Sequence, residues 1–248
     1  MTRPKIGTFI KILFRSLFIQ ATWNYERMLS LGYCFCLQPF AKKKYRNEAD
    51  RIHFLQRSLT YFNTHPYMAN FIIGAVIRAE LEKPPTTDGD AVQIDKYKTR
   101  LSSSLAAVGD EFFWSQLKPF CAMVGVLLVI YWQWFGLAVF LVLYNLPHLW
   151  ARIYGLAAGY RLGFDVGKSV SMKKLHPVID NLNKIGGIIA GSFVIFIGGS
   201  KFVSNNLDLV AFVSGFILMV GFTKLKLSIP VALLAILIFS MLIGVLFV

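Results

Sequence analysis

Hydrophobic and polar positions divide the chain into a mixed first half and a largely apolar second half. Charged and aromatic residues are mixed through the first 118 residues, whereas residues 119–146 contain no charge. Later apolar stretches occupy residues 185–199, 207–222 and 229–248. A helix needs about 20 apolar residues to cross the hydrocarbon core of a bilayer. The pattern predicts an interfacial or partly inserted helical region at residues 1–118 and a transmembrane region at residues 119–248.

The first apolar segment, residues 9–18, has helical periodicity. Lys11 and Arg15 are four positions apart and therefore share one face of the predicted helix. This pattern is typical of a basic amphipathic helix that lies among lipid headgroups rather than crossing the bilayer. An ordinary surface helix is the alternative.

The rest of the first half contains two mostly apolar stretches, residues 20–38 and 51–79, on either side of a basic turn. Both stretches are interpreted as interfacial or partly inserted helices. Residues 81–92 contain two prolines and an Asp-Gly-Asp sequence, which predict a solvated loop. A polar helix is predicted after it, at residues 96–107.

The second half predicts several membrane-spanning helices. Residues 119–146 could form one tilted helix, or two half-helices that meet near Trp132 and Trp134, as discontinuous helices of transporters do. Residues 152–174 are predicted to form a basic, glycine-rich connection. Segment lengths suggest roughly three to five spans, with residues 229–248 the clearest. The predicted class is an all-α integral membrane protein with amphipathic N-terminal helices followed by transmembrane or re-entrant helices.

Composition and charge support a membrane protein. Hydrophobic residues make up 56% of the chain and charged residues 16%, compared with about 25% charged in soluble domains. The net charge is +13, and basic residues cluster beside apolar segments, as at residues 42–46. Cytoplasmic loops collect Lys and Arg in this way, and anionic lipid attracts them. These features predict a cytoplasmic N-terminus and contact with lipid rather than with nucleic acid.

No self-contained catalytic pattern is found. The sequence has no Gly-x-Ser-x-Gly nucleophile elbow, no His-x-x-x-His zinc spacing and no phosphate-binding P-loop. Cys34, Cys36 and Cys121 do not form a disulfide or zinc framework and are predicted to be small apolar residues that are buried or face lipid. Asp110 and Glu111 are interpreted as the start of a helix. A membrane-embedded enzyme that uses them with a histidine is the alternative, but nothing in their spacing suggests one pocket. The sequence therefore predicts no catalytic residues, metal or cofactor of its own.

Two stretches place polar side chains among aromatic residues, at residues 20–27 and 62–70. Amides and carboxylates hydrogen-bond sugar hydroxyls, and aromatic rings pack on the apolar face of a pyranose. Buried polar groups are costly unless paired, and a ligand can pair them. Pro66 disfavours helical geometry at His65 and predicts a helix break at residues 63–66. Helix capping, contacts between helices and exposure to water are the alternatives for these groups.

The same stretches resemble characteristic blocks of the IID components of mannose-family sugar phosphotransferase permeases. The blocks lie at residues 20–28, 62–68 with 74–76, 109–114, and 145–148 with 154–155 and 159–160. They follow the order of the family and cover most of residues 10–165, whereas the C-terminal third is similar only in general character.

The resemblance implies a subunit that pairs with a IIC membrane component to translocate a hexose-type sugar. Cytoplasmic IIA and IIB components would carry the phosphate, so the histidines of this chain would not. It further implies a multi-pass protein of the bacterial inner membrane, assembled as a homo- or hetero-oligomer, in which residues 42–46 could bind IIB. Six residues are expected to line or buttress the sugar site: Trp23, Asn24, Glu26, Asn63, Thr64 and His65.

A second interpretation is a IID homologue that does not transport sugar and acts as a membrane regulatory or assembly factor. The intact polar blocks argue against it.

Overall fold

The computed structural model describes residues 6–82, 88–204 and 206–225, with four single positions beyond them. Every regular element in these ranges is helical, which confirms the all-α prediction. The helices are α1 (Ile6–Ser16), α2 (Ser30–Lys44), α3 (Glu48–Arg57), α4 (Ala69–Glu82), α5 (Asp88–Gly109), α6 (Lys118–Trp132), α7 (Trp134–Leu162), α8 (Val166–Ser169), α9 (Met172–Ser204) and α10 (Asn206–Lys224). The chain forms two compact units, Met1–Gly186 and Gly187–Val248. The predicted functional division after residue 118 stays a prediction.

Helix α4 lies at the centre of the first unit. Residues 71–77 are buried on all sides, as expected for a helix that is apolar around its whole circumference. Its largest contact is with α7. A methyl group on Gly159 of α7 would collide with the carbonyl oxygen of Phe71, and one on Gly74 with the backbone of α7 at Leu156. The glycines therefore allow the two helix backbones to approach closely.

The prediction that residues 152–174 form a glycine-rich connection is wrong over most of its length. Helix α7 continues to Leu162, a 3₁₀ turn covers Gly163–Asp165, and α8 follows directly. The glycines at 155 and 159 contact α4 instead of breaking the helix. Glycine content predicted a loop here, whereas these glycines lie where two helices are in close contact.

Helices α6 and α7 form an antiparallel hairpin, which decides between the two readings of residues 119–146. The helices meet at Gln133, which has φ 42°, so the predicted break is confirmed. The two arms are not half-helices, because α7 extends to Leu162 and α6 continues from α5 through the π-helical residues 110–117. Gly136 lies against the backbone of Val129, and Gly125 lies against the Phe140 side chain. Both contacts bring the arms of the hairpin close together.

Helix α5 begins at Asp88, inside the predicted loop at residues 81–92. Early acids suit the positive end of a helix dipole, so the Asp-Gly-Asp sequence begins the helix rather than breaking it. The predicted helix start at Asp110 is also wrong. Asp110–Leu117 is a π-helical segment that joins α5 to α6 without interruption. Such segments often occur at functional sites.

Helix α1 is strongly amphipathic, as predicted. Ile12 and Ser16 are buried, whereas Ile10 and Phe14 are exposed. The predicted helix at residues 20–38 begins only at Ser30, and the residues before it form turns.

Two helical stretches of the described residues are long and apolar enough to cross a membrane, Gly89–Trp132 and Trp134–Ser169. The predicted span at residues 207–222 is helical and belongs to α10. Residues 229–248 lie outside the described residues apart from the four single positions. All three cysteines are buried, as predicted.

Candidate functional site

The two predicted polar segments lie side by side. Met28, with φ 55°, pairs through its backbone with both Asn24 and Phe62. The amide of Leu29 donates a hydrogen bond of 2.9 Å to the Phe62 carbonyl oxygen. The helix break predicted before Pro66 is confirmed, because α3 ends at Arg57 and α4 begins only at Ala69.

Trp23, Asn24 and Glu26 lie at the surface of this junction. Trp23 is 45% exposed and packs edge-on against Tyr25. Glu26 is exposed and pairs with Arg27 at 3.1 Å. The Asn24 side-chain oxygen accepts a hydrogen bond from the Arg27 amide at 2.9 Å. Asn24 therefore stabilises the turn in this structure.

Asn63 and Thr64 lie near the polar face of α5. Asn63 is exposed and borders a cavity of about 280 Å³ that Ser102 and Ser103 also line. Thr64 is buried and donates a hydrogen bond to the Ser102 carbonyl oxygen at 3.1 Å. This contact fixes the irregular segment against α5.

His65 lies inside an aromatic cage and is only 1% exposed. Its ring stacks on Phe113 at 5.3 Å between centroids, and Trp114 and Tyr67 approach to 4.7 and 4.8 Å. Gly109 packs directly on the imidazole, so any side chain there would displace it. The π-helical segment supplies Phe113 and Trp114, and so it forms one wall of the cage.

Burial, and to a smaller extent the positive charge of Arg152, lowers the pKa of His65 to about 4. The ring is therefore neutral near pH 7. Its Nδ1 atom accepts a hydrogen bond from the Tyr67 amide at 3.3 Å, which assigns the proton to Nε2. His65 thus presents an N–H donor within the cage.

Tyr67 connects His65 to the base of the hairpin. Its ring stacks on His148 at 4.4 Å, and the Arg152 guanidinium lies 5.2 Å from the ring centroid. Its hydroxyl is 3.2 Å from the Tyr144 hydroxyl. Tyr144, His148 and Arg152 all belong to α7.

Asn70 completes the cluster on α4. Its amide nitrogen donates to the Ser16 hydroxyl at 3.1 Å and to the Arg152 carbonyl oxygen at 3.0 Å. The Arg152 guanidinium also donates to the Ser16 carbonyl oxygen. We call the residues joined in this way the Tyr67 cluster: Ser16, His65, Tyr67, Asn70, Tyr144, His148 and Arg152.

Within the described residues, the four buried side-chain polar atoms without a hydrogen-bond partner all belong to the Tyr67 cluster. His65 Nε2 and Arg152 Nε are donors. Asn70 Oδ1 is an acceptor, and His148 Nδ1 is another because His148 Nε2 contacts the Asn145 side-chain oxygen at 2.8 Å. Buried polar groups without partners are uncommon in native proteins and require an explanation. Two donors and two acceptors match the hydrogen-bonding capacity of hydroxyl groups.

Arg152 was not among the predicted site residues, although the sequence contains a signal for it. It is the only charged residue between positions 119 and 160, and charges within apolar membrane helices are usually functional. It is 5% exposed, and no carboxylate of the described residues lies within ion-pair distance of it. Tyr67, Tyr144 and His148 were missed too, although most lie in the blocks that carried the resemblance.

The predicted residues therefore separate into an exposed and a buried group. Thr64 and His65 are buried, and His65 belongs to the Tyr67 cluster. The other four are at or near the surface, in the segments that border it. Across the described residues, no three His, Cys, Asp or Glu side chains are grouped closely enough to hold a metal ion.

Long apolar helices in the described part of the chain and a buried, incompletely paired polar cluster have the character of a membrane transport component. Comparison with known proteins gives the family. The sequence profile described as "PTS system mannose/fructose/sorbose family IID component" matches residues 5–206. The chain belongs to this family of phosphotransferase system (PTS) components.

Relatives and solved structures agree with this assignment. The chain is 32% identical over 200 residues to the mannose-specific EIID component of Escherichia coli K12, covering 80% of this chain and 69% of that protein. It is 30% identical to the sorbose-specific EIID component of Lacticaseibacillus casei, covering 84% and 72%. The cryo-EM structure of the mannose transporter ManYZ with microcin E492 contains a similar chain, with 31% identity, a TM-score of 0.61, and coverage of 78% of this chain and 71% of that one.

Proposed function

We propose that this chain is the IID subunit of a phosphoenolpyruvate-dependent permease that forms, with a IIC subunit, the channel for a hexose-type sugar. Cytoplasmic IIA and IIB components supply the phosphate, so translocation is coupled to phosphorylation. This chain performs no covalent step itself. Relatives named for mannose, sorbose and fructose support the substrate class.

The observation that carries this proposal is the set of unpartnered atoms in the Tyr67 cluster. A sugar hydroxyl both donates and accepts, so it pairs with the N–H of His65 and with the oxygen of Asn70 alike. The aromatic rings around His65 suit the apolar face of a pyranose. The cluster lies where α4, the π-helical segment and the base of the hairpin meet, so movement of the hairpin changes its access.

The six predicted residues have different roles in this proposal. His65 contacts or orients the sugar, and Thr64 fixes the segment that carries it. Trp23, Asn24, Glu26 and Asn63 form the adjacent rim, where a IIC subunit or the entering sugar contacts them.

The chain is proposed to cross the bacterial inner membrane several times, with its N-terminus in the cytoplasm. Helix α1 then lies along the membrane surface, with Ile10 and Phe14 towards lipid. Lys42, Lys43 and Arg46 are exposed at the end of α2. They attract anionic headgroups or the IIB component.

Transport is tested in cells that lack their own mannose-family permease. The cells receive this chain with the IIC, IIA and IIB components encoded beside it, and labelled sugar phosphate is measured across a panel of hexoses. Accumulation that disappears when only this chain is omitted supports the proposal and names the sugar. Equal accumulation without the chain contradicts it and favours the regulatory interpretation.

Two matched substitutions locate the site. His65→Gln keeps a neutral polar side chain but alters its geometry in the cage, and we expect uptake to fall about tenfold or more. His53→Gln makes the same change on an exposed face of α3 and should leave uptake unchanged. If both variants are present in the membrane in equal amounts and support equal uptake, His65 does not belong to the sugar site.

A further inference from the structure

A second cavity, of about 380 Å³, lies apart from the Tyr67 cluster and shares no lining residue with it. Residues of α2, α3, α4 and α5 line it, together with the segment that follows α3. Its volume falls within the range of small-molecule sites, about 300–1,000 Å³. Its walls include Tyr33 and Phe54 as well as several charged side chains.

One charged wall is organised around Glu80, whose side chain is fully buried. Its carboxylate accepts hydrogen bonds from Arg57 at 2.5 Å, Lys44 at 3.1 Å and the Tyr45 hydroxyl at 2.9 Å. Arg57 donates one hydrogen bond to Glu80, and its side chain has a second hydrogen-bond partner in Tyr45. Glu80 therefore holds Arg57 in place while most of its guanidinium donors remain available.

A second charged part of the lining is organised around Lys98, which is only 3% exposed. Its ammonium group contacts the Thr60 hydroxyl and the Asp95 carboxylate, each at 2.5 Å. Tyr33 is 1% exposed, and its hydroxyl makes no hydrogen bond to the described part of the chain. Burial, and then the charges of Glu80 and Asp95, raises the pKa of Tyr33, so its hydroxyl keeps its proton and can donate it.

The charges around the cavity favour an anion. Four cations, Lys44, Arg57, Lys96 and Lys98, lie in or directly behind its walls, against the carboxylates of Glu80 and Asp95. Arg57 and Lys44 share the single carboxylate of Glu80, and Lys98 pairs with Asp95, so the cations exceed the carboxylates by two charges. An arginine fork, a lysine and hydroxyl donors are the groups that recognise phosphate oxygens. The remaining volume would accommodate the hydroxyl-bearing part of a phosphate ester beside Tyr33 and Phe54.

We propose that this cavity binds the phosphate group of a small phosphate ester, with Arg57, Lys98 and the Tyr33 hydroxyl as its donors. Its assignment to a hexose phosphate, the product class of the permease, rests on the proposed function. The anion site itself does not depend on that function. A phospholipid headgroup carries the same phosphate chemistry and is the other source that the experiment must distinguish.

The test uses the IID–IIC complex purified in a neutral detergent and binding measured by calorimetry. The probes are hexose 6-phosphate, the free hexose and inorganic phosphate, each with and without an anionic phospholipid added to the micelles. Tyr33→Phe removes only the hydroxyl, and Arg57→Gln removes the fork. Arg51→Gln is the matched control, because Arg51 lies on the same helix but pairs with Glu48 and does not line the cavity.

We expect saturable binding of hexose 6-phosphate that weakens about tenfold or more in Tyr33→Phe and Arg57→Gln, as lost hydrogen bonds to a charged group predict. Arg51→Gln should bind as the native chain does. Phospholipid that displaces the ester, or binds in its place with the same dependence on Tyr33, supports the phosphate site and identifies the headgroup as its ligand. Binding that is absent for every phosphate probe, or unchanged in both cavity variants, overturns the site.

The two proposals fail separately. A complex that binds the ester through Tyr33 and Arg57 but gives no sugar uptake keeps the site and removes the permease function. Sugar uptake by a complex that binds no phosphate probe keeps the permease function and removes the phosphate site.

Discussion

At the scale of single residues, His65 combines burial, an aromatic cage and a fixed tautomer. Its Nδ1 is occupied by the Tyr67 amide and its Nε2 is free within the described structure. An imidazole in such surroundings remains neutral, and protonating it would place a charge next to Arg152. The residue is therefore a hydrogen-bond donor over most of the physiological pH range.

This property predicts a dependence of stability on pH. The folded pKa of about 4 lies below the ordinary value of about 6.5, so the unfolded chain binds the proton more readily. Stability from this group is complete above about pH 6.5 and is lost as the pH falls towards 4. At pH 5 the expected loss is about 2 kcal/mol, measured as thermal unfolding in detergent at pH 7 and pH 5. The stability of His65→Gln should depend less on pH than that of the native chain, whereas His53→Gln should behave as the native chain does. The same pH dependence in the native chain and both variants would contradict the assignment to His65.

The candidate site could be predicted from sequence only in part, and particular residues show why. Thr64 and His65 were found because Pro66 and the surrounding aromatics give a local signal. Asn24 was selected for the same reason, yet its side chain is used in a local turn. Arg152 is marked in the sequence by its isolated charge, but its connection to Asn70 depends on the contact between α4 and α7, which joins residues 82 positions apart. Local composition does not contain that information.

At the scale of helices, the interface of α4 and α7 depends on small residues. Gly159→Ala would place a methyl group against the carbonyl oxygen of Phe71, where backbone atoms cannot move aside easily. Overpacking of this kind costs about 1–3 kcal/mol. The expected result is a lower unfolding temperature and weaker sugar uptake. Gly191→Ala, on α9 with open space around it, is the control and should be neutral or slightly stabilising; equal loss in both variants would show that the contact is not limiting.

At the hairpin turn, a substitution is expected to stabilise the fold, in contrast to Gly159→Ala. Gln133 has φ 42° and ψ −111°, a conformation that favours glycine because other residues have a Cβ atom. Gln133→Gly should therefore raise the free energy of unfolding by about 1 kcal/mol. Gln133→Ala removes the same side chain but keeps the Cβ, so it should give no gain. A gain in both variants would assign the effect to the lost amide instead of the backbone.

At the scale of the whole molecule, the sequence predicted an all-α membrane protein correctly. It predicted only some of the positions at which helices begin and end. Long uncharged stretches favour a membrane protein, and their lengths suit helices. The predicted connection at residues 152–174 and the predicted helix start at Asp110 were wrong for a common reason. Glycines and acids were read as ends of elements, whereas Gly159 packs on α4 and Asp110 begins a π-helical segment inside a continuous helix.

The tip of the α6–α7 hairpin predicts how the chain is oriented in the membrane. Tyr131, Trp132 and Trp134 surround Gln133 and are exposed, as aromatic residues at a membrane surface are. The exposed basic residues of α2 are proposed to face the cytoplasm. We therefore expect the hairpin tip to reach the opposite surface.

Single cysteines at Gln133 and Lys43 test this topology with a thiol reagent that cannot cross membranes. The native cysteines are buried, which keeps background labelling low. Gln133→Cys should react in intact cells, and Lys43→Cys only after the inner membrane is opened. The uncharged arm at residues 119–132 spans only about 21 Å, less than the hydrocarbon core of about 30 Å, so a re-entrant hairpin is the alternative. Labelling of Gln133→Cys only after the membrane is opened, or only in detergent, would show that the tip does not reach the far side.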